Sequence, residues 1–256
     1  MILAIDIGNT NIVLGGMEDG QIVFVARMAT DPIKTSDQYH LELRNMLSLF
    51  QVDLSRLEGT IISSVVPPVQ NSMHTAVIKM TKKEPLIVGP GIRTGLNVLV
   101  DNPKQVGSDL IVAAVAGVRL YGAPLIIVDM GTATTISVID ENNAFRGGCI
   151  CPGLRISMDA LTSRTAQLPG IWLDAPKHAI GRNTVDCMRS GIMLGAAAML
   201  DGLLDRMEEE MGREMPVIAT GGISQFVIPL CRKTIRYDKH LLLKGLEILY
   251  RNNTKD

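Results

Sequence analysis

The sequence predicts an α/β protein made of two similar lobes, each built around a mixed β-sheet. Three observations predict it: a strand–turn motif that recurs at half the chain length, apolar runs of strand length bounded by turn signals, and helical periodicity after each set of strands. The motif is Asp6-Ile7-Gly8-Asn9-Thr10-Asn11-Ile12 in the first half and Asp129-Met130-Gly131-Thr132-Ala133-Thr134-Thr135-Ile136 in the second. Each copy follows an apolar run, Ile2 to Ile5 or Leu125 to Val128. Each leads into a second β-type run, Ile12 to Gly15 or Ile136 to Ile139. A turn signal comes next, Glu18-Asp19-Gly20 or Glu141-Asn142-Asn143, and then a third run, Gln21 to Ala26 or Ala144 to Cys149. Asp-x-Gly alone is common at turns. Three matching strands on each side make duplication the stronger account, with lobes expected at 1–117 and 118–256 and a ligand cleft expected between them.

The remaining elements follow in order. Thr35 and Gln38 fit a capping box, after which Tyr39, Leu43, Met46, Leu47 and Phe50 recur at helical spacing. Ile61 to Val66 and Leu86 to Val88 read as short buried strands, each ended by proline. Gly89 to Gly95 contains proline, opens no helix and reads as a connecting loop. Ser108 and Asp109 sit at a helix start ahead of Ile111 to Leu120. Asp186 to Met211 reads as one long helix, with Gly191, Gly195 and Ala196 to Ala198 forming a small-residue face. Val217 to Ala219 is a strand ending in Thr220-Gly221-Gly222. A last helix is expected over about Lys239 to Tyr250, with a frayed tail from Arg251 to Asp256.

Composition narrows the functional classes. The 256 residues are 46% hydrophobic and carry a net charge of −1, with basic residues scattered, so neither a nucleic-acid groove nor an anionic membrane surface is expected as a partner. The start of the chain lacks the basic n-region and cleavage site of a secretory signal. The apolar segment Gly191 to Leu204 is cut by Asp201 and reads as a buried helix too short to span a bilayer. Cys149, Cys151, Cys187 and Cys231 form neither a disulfide framework nor a zinc pattern, and read as reduced core thiols in a cytoplasmic protein. His40, His74, His178 and His240 lie apart and read as surface or satisfied groups.

The chemistry concentrates in the two Asp-x-Gly turns. Gly8 lets the backbone approach a ligand closely, and successive amides there can form an anion-binding concavity. Asn9, Thr10 and Asn11 add short polar groups, and Asp6 can hold Mg²⁺ together with phosphate oxygens. The second copy supplies Asp129, Gly131, Thr132 and Thr134. Two such loops suit phosphoryl transfer, where catalysis is mostly positioning and charge neutralisation. The P-loop and protein-kinase signatures are absent. Asp109 is the candidate base: a carboxylate suffices to orient and accept an alcohol proton late in a loose transition state. The competing reading is an ordinary first-turn acid that stabilises the helix dipole.

Seven motifs in order carry a resemblance: Asp6-x-Gly-Asn-Thr, Ser63-Ser64-Val65-Val66-Pro67, Asp101-Asn102-Pro103-x-x-Val106-Gly107-Ser108-Asp109, Asp129-x-Gly-Thr-Ala-Thr-Thr, Gly147-Gly148-x-Ile150-x-Pro152-Gly153, Gly181-Arg182-Asn183-Thr184 and Thr220-Gly221-Gly222. The chain resembles the type III pantothenate kinases over nearly its whole length. The resemblance implies the acetate kinase/sugar kinase/heat-shock-70/actin-like fold, a homodimer, and the ATP-dependent phosphorylation of pantothenate that commits it to coenzyme A. It implies that Asp6, Ile7, Gly8, Asn9, Thr10, Asn11, Ile12 and Val13 form the first phosphate loop, that Thr132 contacts ATP, and that Asp129 holds a monovalent cation, potassium or ammonium. Asp109 would accept the proton. Val100, Gly107, Ser108, Asp109 and Leu110 would line the pantothenate pocket, and Thr184 would reach substrate from the partner subunit. The family pattern has arginine at Leu110 and tyrosine at Val100, so substrate affinity or identity is where this chain departs. A kinase for another small hydroxy acid and a nucleotide-sensing regulator are the alternatives; an intact Asp109 favours an enzyme.

Overall fold

The structure, a computed structural model, describes residues 1–254; Lys255 and Asp256, the end of the expected frayed tail, lie outside the described residues. Strands β1 (Ile2–Ile7), β2 (Asn11–Glu18) and β3 (Gln21–Ala29) form a meander, followed by helix α1 (Ser36–Leu49), β4 (Gly59–Ser64), α2 (Pro67–Thr81) and β5 (Leu86–Ile87). Then come β6 (Asn97–Val98) and α3 (Ser108–Tyr121), and the pattern starts again with β7 (Leu125–Met130), β8 (Ala133–Ile139) and β9 (Ala144–Pro152). Helices α4 (Leu154–Arg164) and α5 (Thr184–Met211), strand β10 (Val217–Thr220), short α6 (Ser224–Val227), β11 (Ile235–Tyr237) and α7 (Leu241–Thr254) complete the chain.

The two sheets share one topology, which establishes the duplication. The first has the order β3-β2-β1-β4-β5, and the second repeats it as β9-β8-β7-β10-β11 with β6 added beside β9. In both, the first three strands are antiparallel and the last two run parallel to the first. The hairpin turns match as well, with left-handed residues at Asp19 and Asn143. Asp6 and Asp129 are each the second-last residue of an otherwise buried strand.

Strand alternation decides which way each aspartate points. Leu3, Ile5 and Ile7 pack with Tyr39, Leu43 and Leu47 of α1 and Val69, Met73 and Val77 of α2. Ile2 and Ala4, on the other face with Asp6, pack with Val112 and Val115 of α3 and Leu243, Leu246 and Leu249 of α7. With both faces covered, β1 reads as a continuous apolar run. In the second sheet Ile126, Val128 and Met130 pack with Ile192, Met193, Ala197, Leu200 and Leu204 of α5, leaving Asp129 on the opposite face.

Residue contacts divide the chain into one compact unit of Met1–Leu96, Asp101–Leu120 and Leu241–Asp256, and a second of Asn97–Val100 and Tyr121–His240. This differs from a single division after residue 117. The C-terminal α7 returns to the first sheet because its leucine face is buried there, and Glu247 accepts a hydrogen bond from the Gly20 amide at 3.1 Å. Helix α7 also runs to Thr254, so Arg251 to Thr254 is helix and not frayed tail.

Three further readings need correction. Pro67 and Pro68 begin α2, where the first turn has no need of their missing N–H groups. Helix α5 has 28 residues, long and apolar enough by length and composition to cross a membrane, and only 39% of its most apolar window is buried. Its buried stripe packs on the second sheet. The four cysteines are free as expected, but none is fully buried and Cys187 is exposed.

Candidate active site

In the first unit, Asp6 lies in register with Val13 of β2 and Ser63 of β4. The Ser108 hydroxyl then ties the start of α3 to the end of β4. It accepts from the Ser64 amide at 3.1 Å and donates to the Ser64 carbonyl at 3.0 Å, so the 3.0 Å contact with Ser63 requires the Ser63 hydroxyl to donate. This staple holds Asp109, the next residue, near the β1 and β4 ends.

The Asp109 carboxylate is half-buried and folds back toward Gly107, where a Cβ would collide with Oδ1. Oδ1 accepts the Leu110 amide at 2.9 Å, and Oδ2 has no hydrogen bond among the described residues. Burial pushes its pKa above the ordinary 3.8, against a smaller lowering from the Leu110 and Asp109 amides.

The turn after β1 is fixed by its own backbone. The Gly8 amide donates to Asn11 O at 3.0 Å, Thr30 N donates to Thr10 O at 3.0 Å, and the Thr30 hydroxyl donates to Gly8 O at 2.7 Å. A Cβ on Gly8 would lie 3.2 Å from Asn11 O, tight enough to favour glycine. Asn9, Thr10 and Asn11 are exposed around this rigid turn. The Gly8 amide closes the hairpin and so cannot join the anion-binding concavity expected from the sequence.

The second unit repeats the arrangement. The Gly131 amide donates to Ala133 O at 3.0 Å, and Thr132 is exposed at the turn. Asp129 lies in register with Thr135 of β8 and Thr220 of β10. Gly221 adopts φ +88, and a Cβ there would approach Asp129 Oδ1 to 2.7 Å and Met130 O to 2.5 Å. Glycine is therefore required where β10 closes against Asp129. The Thr220 hydroxyl is buried and without a hydrogen-bond partner, as is that of Thr134. Gly153, which precedes α4, packs against the Gly131 and Thr132 carbonyls with no room for a Cβ.

The first unit thus gathers Asp6 to Val13 with Gly107 to Leu110, and the second gathers Asp129 and Thr132 with Thr220 to Gly222. Val100 lies in the second unit, 3.7 Å from a Cβ placed on Gly147. Thr184 is the exposed first residue of α5, next to the Asn183 cap that accepts the Asp186 amide at 2.9 Å. The sequence reading missed the positioning roles of Ser63 and Ser64; serines beside a strand end and a helix start were the available signal. Among the described residues no group of three or more His, Cys, Asp or Glu side chains forms a metal cluster.

Comparison with known proteins decides the family. The family model for type III pantothenate kinase matches residues 2–206. The chain belongs to the type III pantothenate kinases. A type III pantothenate kinase of Bacillus cytotoxicus is 45% identical over 253 residues, covering 99% of this chain and 97% of that protein. Among solved structures, component A of the Acidaminococcus fermentans (R)-2-hydroxyglutaryl-CoA dehydratase superposes with a TM-score of 0.58 at 15% identity, over 97% of this chain and 96% of that one. A ROK family glucokinase from Streptomyces griseus does so at 0.50 and 14%, over 98% and 99%. These likenesses show the fold, the acetate kinase/sugar kinase/heat-shock-70/actin-like architecture. Family membership makes the chain a kinase, a transferase of coenzyme A biosynthesis.

Proposed function

We propose that the protein transfers the γ-phosphoryl group of ATP to the terminal hydroxyl of pantothenate, with Asp109 as proton acceptor. The observation that carries the mechanism is Asp109 itself: a carboxylate with Oδ1 held by the Leu110 amide, Oδ2 without a hydrogen bond, and the helix start anchored by Ser108. In the transfer the hydroxyl oxygen bonds to phosphorus and the bond to the ADP oxygen breaks. The hydroxyl proton passes to Oδ2. Gly107, Ser108 and Leu110 shape the acceptor pocket, with Val100 and Thr184 as further substrate contacts.

Asp6 to Val13 and Thr132 are the nucleotide-binding residues in this reading. The residues present fit a bound cation: Asp129 stands in register with a buried, unpartnered hydroxyl at Thr220, an oxygen donor set suited to a hard ion. Asp129 and Thr220 would hold potassium or ammonium, and Asp6 would position Mg²⁺ with the phosphates. Bound cations neutralise the charge that develops on phosphate oxygens during transfer.

The enzyme works as a homodimer in the cytoplasm. The support for the dimer is an apolar groove of about 720 Å³ on the second unit, bordered by Leu154 and Leu161 of α4 and Gly191, Gly195 and Met199 of α5. Nothing in the chain lies within 4 Å of a Cβ placed on Gly191 or Gly195, so a second copy has room to pack closely there.

The mechanism is tested by Asp109→Asn, which keeps the shape and removes the proton acceptor. Turnover should fall by roughly 10²–10⁴-fold with ATP affinity unchanged. Near-normal turnover with pantothenate would remove Asp109 from the mechanism.

A further inference from the structure

Strand β9 carries two thiols that no step of the proposed mechanism uses. Cys149 and Cys151 are two residues apart on an extended strand, so both side chains stand on one face, with exposed Ile150 between them on the other. The Cys149 thiol donates a hydrogen bond to the Cys151 sulfur, which brings the two sulfurs together. Both residues are free and half-buried. Strand β6 pairs with β9 only at Ala144 and Phe145, so among the described pairings the outer edge beside the thiols is open. Neither cysteine borders the groove assigned above to a second copy.

The backbone decides what such a pair can do. Residues two apart on a strand have Cα atoms about 6.6 Å apart and Cβ atoms at a similar spacing, whereas a disulfide needs Cβ atoms about 3.5–4.5 Å apart. Closing a disulfide would therefore bend β9, and β9 is held. Cys149 and Cys151 are in register with Ile136 and Thr134 of β8. Gly148 packs against the Ile136 carbonyl and Gly153 against the Thr132 carbonyl, neither with room for a Cβ. A metal ion imposes no such bend, because two metal–sulfur bonds of about 2.3 Å let the sulfurs stay up to about 4.6 Å apart. Among the described residues no third His, Cys, Asp or Glu completes a larger cluster. A tetrahedral zinc site would lack half its protein ligands, whereas soft monovalent copper is satisfied by two thiolates.

We propose that Cys149 and Cys151 form a two-coordinate binding site for Cu(I) at the edge of the second sheet. Binding makes two copper–sulfur bonds and releases both thiol protons to solvent, with no change of oxidation state. The site stands apart from the pantothenate reading, and its test needs no kinase activity.

The experiment titrates the reduced protein with Cu(I) under nitrogen, in competition with the chromogenic chelator bicinchoninate. Wild type and the Cys187→Ser/Cys231→Ser variant should each hold one equivalent of copper, and Cys149→Ser and Cys151→Ser should each lose it. Copper should also raise the melting temperature of wild type and not of the Cys149 or Cys151 variants, because a ligand of the folded state stabilises it. An equivalent retained when both Cys149 and Cys151 are serine, or lost in Cys187→Ser/Cys231→Ser, overturns the proposal. Should the serine variants fail to fold, wild type alone decides: bound copper should protect Cys149 and Cys151 from alkylation by iodoacetamide and leave Cys187 reactive. Alkylation of Cys149 and Cys151 at an unchanged rate overturns the proposal. So does a Cys149–Cys151 disulfide formed when the folded protein is treated with glutathione disulfide, since the held strand should forbid it.

Discussion

Asp109 couples function to stability with opposite signs. Its pKa is raised by burial, so the ionised form is disfavoured in the fold, and this costs stability at pH values above the ordinary 3.8. The cost is relieved as pH falls through the folded value. Asp109→Asn removes the charge and should therefore unfold at the same or a higher temperature than wild type at neutral pH, even as its turnover collapses. For the same reason the acid limb of kcat/KM should have its inflection above 3.8, which a pH profile at constant ionic strength reads directly. Thr220 makes the complementary case. A buried hydroxyl without a partner costs about 1–3 kcal/mol, so Thr220→Val should melt no lower than wild type in buffer free of potassium and ammonium. Added potassium should raise the melting temperature of wild type and not of the variant. An equal shift in both would exclude Thr220 as a cation ligand.

At the scale of elements, α7 offers the clearest test of how the chain is divided. Leu246 is fully buried with Ile2, Ala4 and Val112, and Leu246→Ala should cost about 2–5 kcal/mol. Hydrogen exchange should then quicken in β1 and β4, whereas faster exchange confined to β7 and β10 would contradict the assignment of α7 to the first sheet. What the sequence made legible here follows from locality. The two Asp-x-Gly hairpins, the Thr35–Gln38 capping box and the Ser108 helix start are signalled within a few residues, and all three formed as expected. Helix α2 was hidden because a proline pair reads equally as a strand stop and as a helix start. Strands β6 and β11 have only two and three residues and owe their existence to partners distant in sequence. The partner sheet of α7 was invisible for the same reason, since a leucine stripe shows that a face is buried but not against what. In the site, Asp6, Asp129 and Asp109 could be picked out by motif, while the staple through Ser63, Ser64 and Ser108 depends on residues about 45 apart meeting at one strand end.

At the scale of the whole molecule, the dimer proposal has a substitution that separates assembly from folding. Gly195 is exposed on α5 and a Cβ there meets no atom of its own chain, so Gly195→Phe fills the groove from its helix wall and removes a helix-weakening glycine. Its thermal stability at low protein concentration should be preserved, while sedimentation should shift from dimer to monomer. A wild-type monomer with full activity would end the dimer proposal. The central claim is narrower and can be tested without any variant. Phosphorus NMR should follow purified protein incubated with ATP, Mg²⁺, potassium and pantothenate as sole acceptor. The account predicts a new phosphomonoester on the terminal hydroxyl of pantothenate, accumulating one for one with ADP. Inorganic phosphate in place of that ester, or no consumption of ATP, would contradict it.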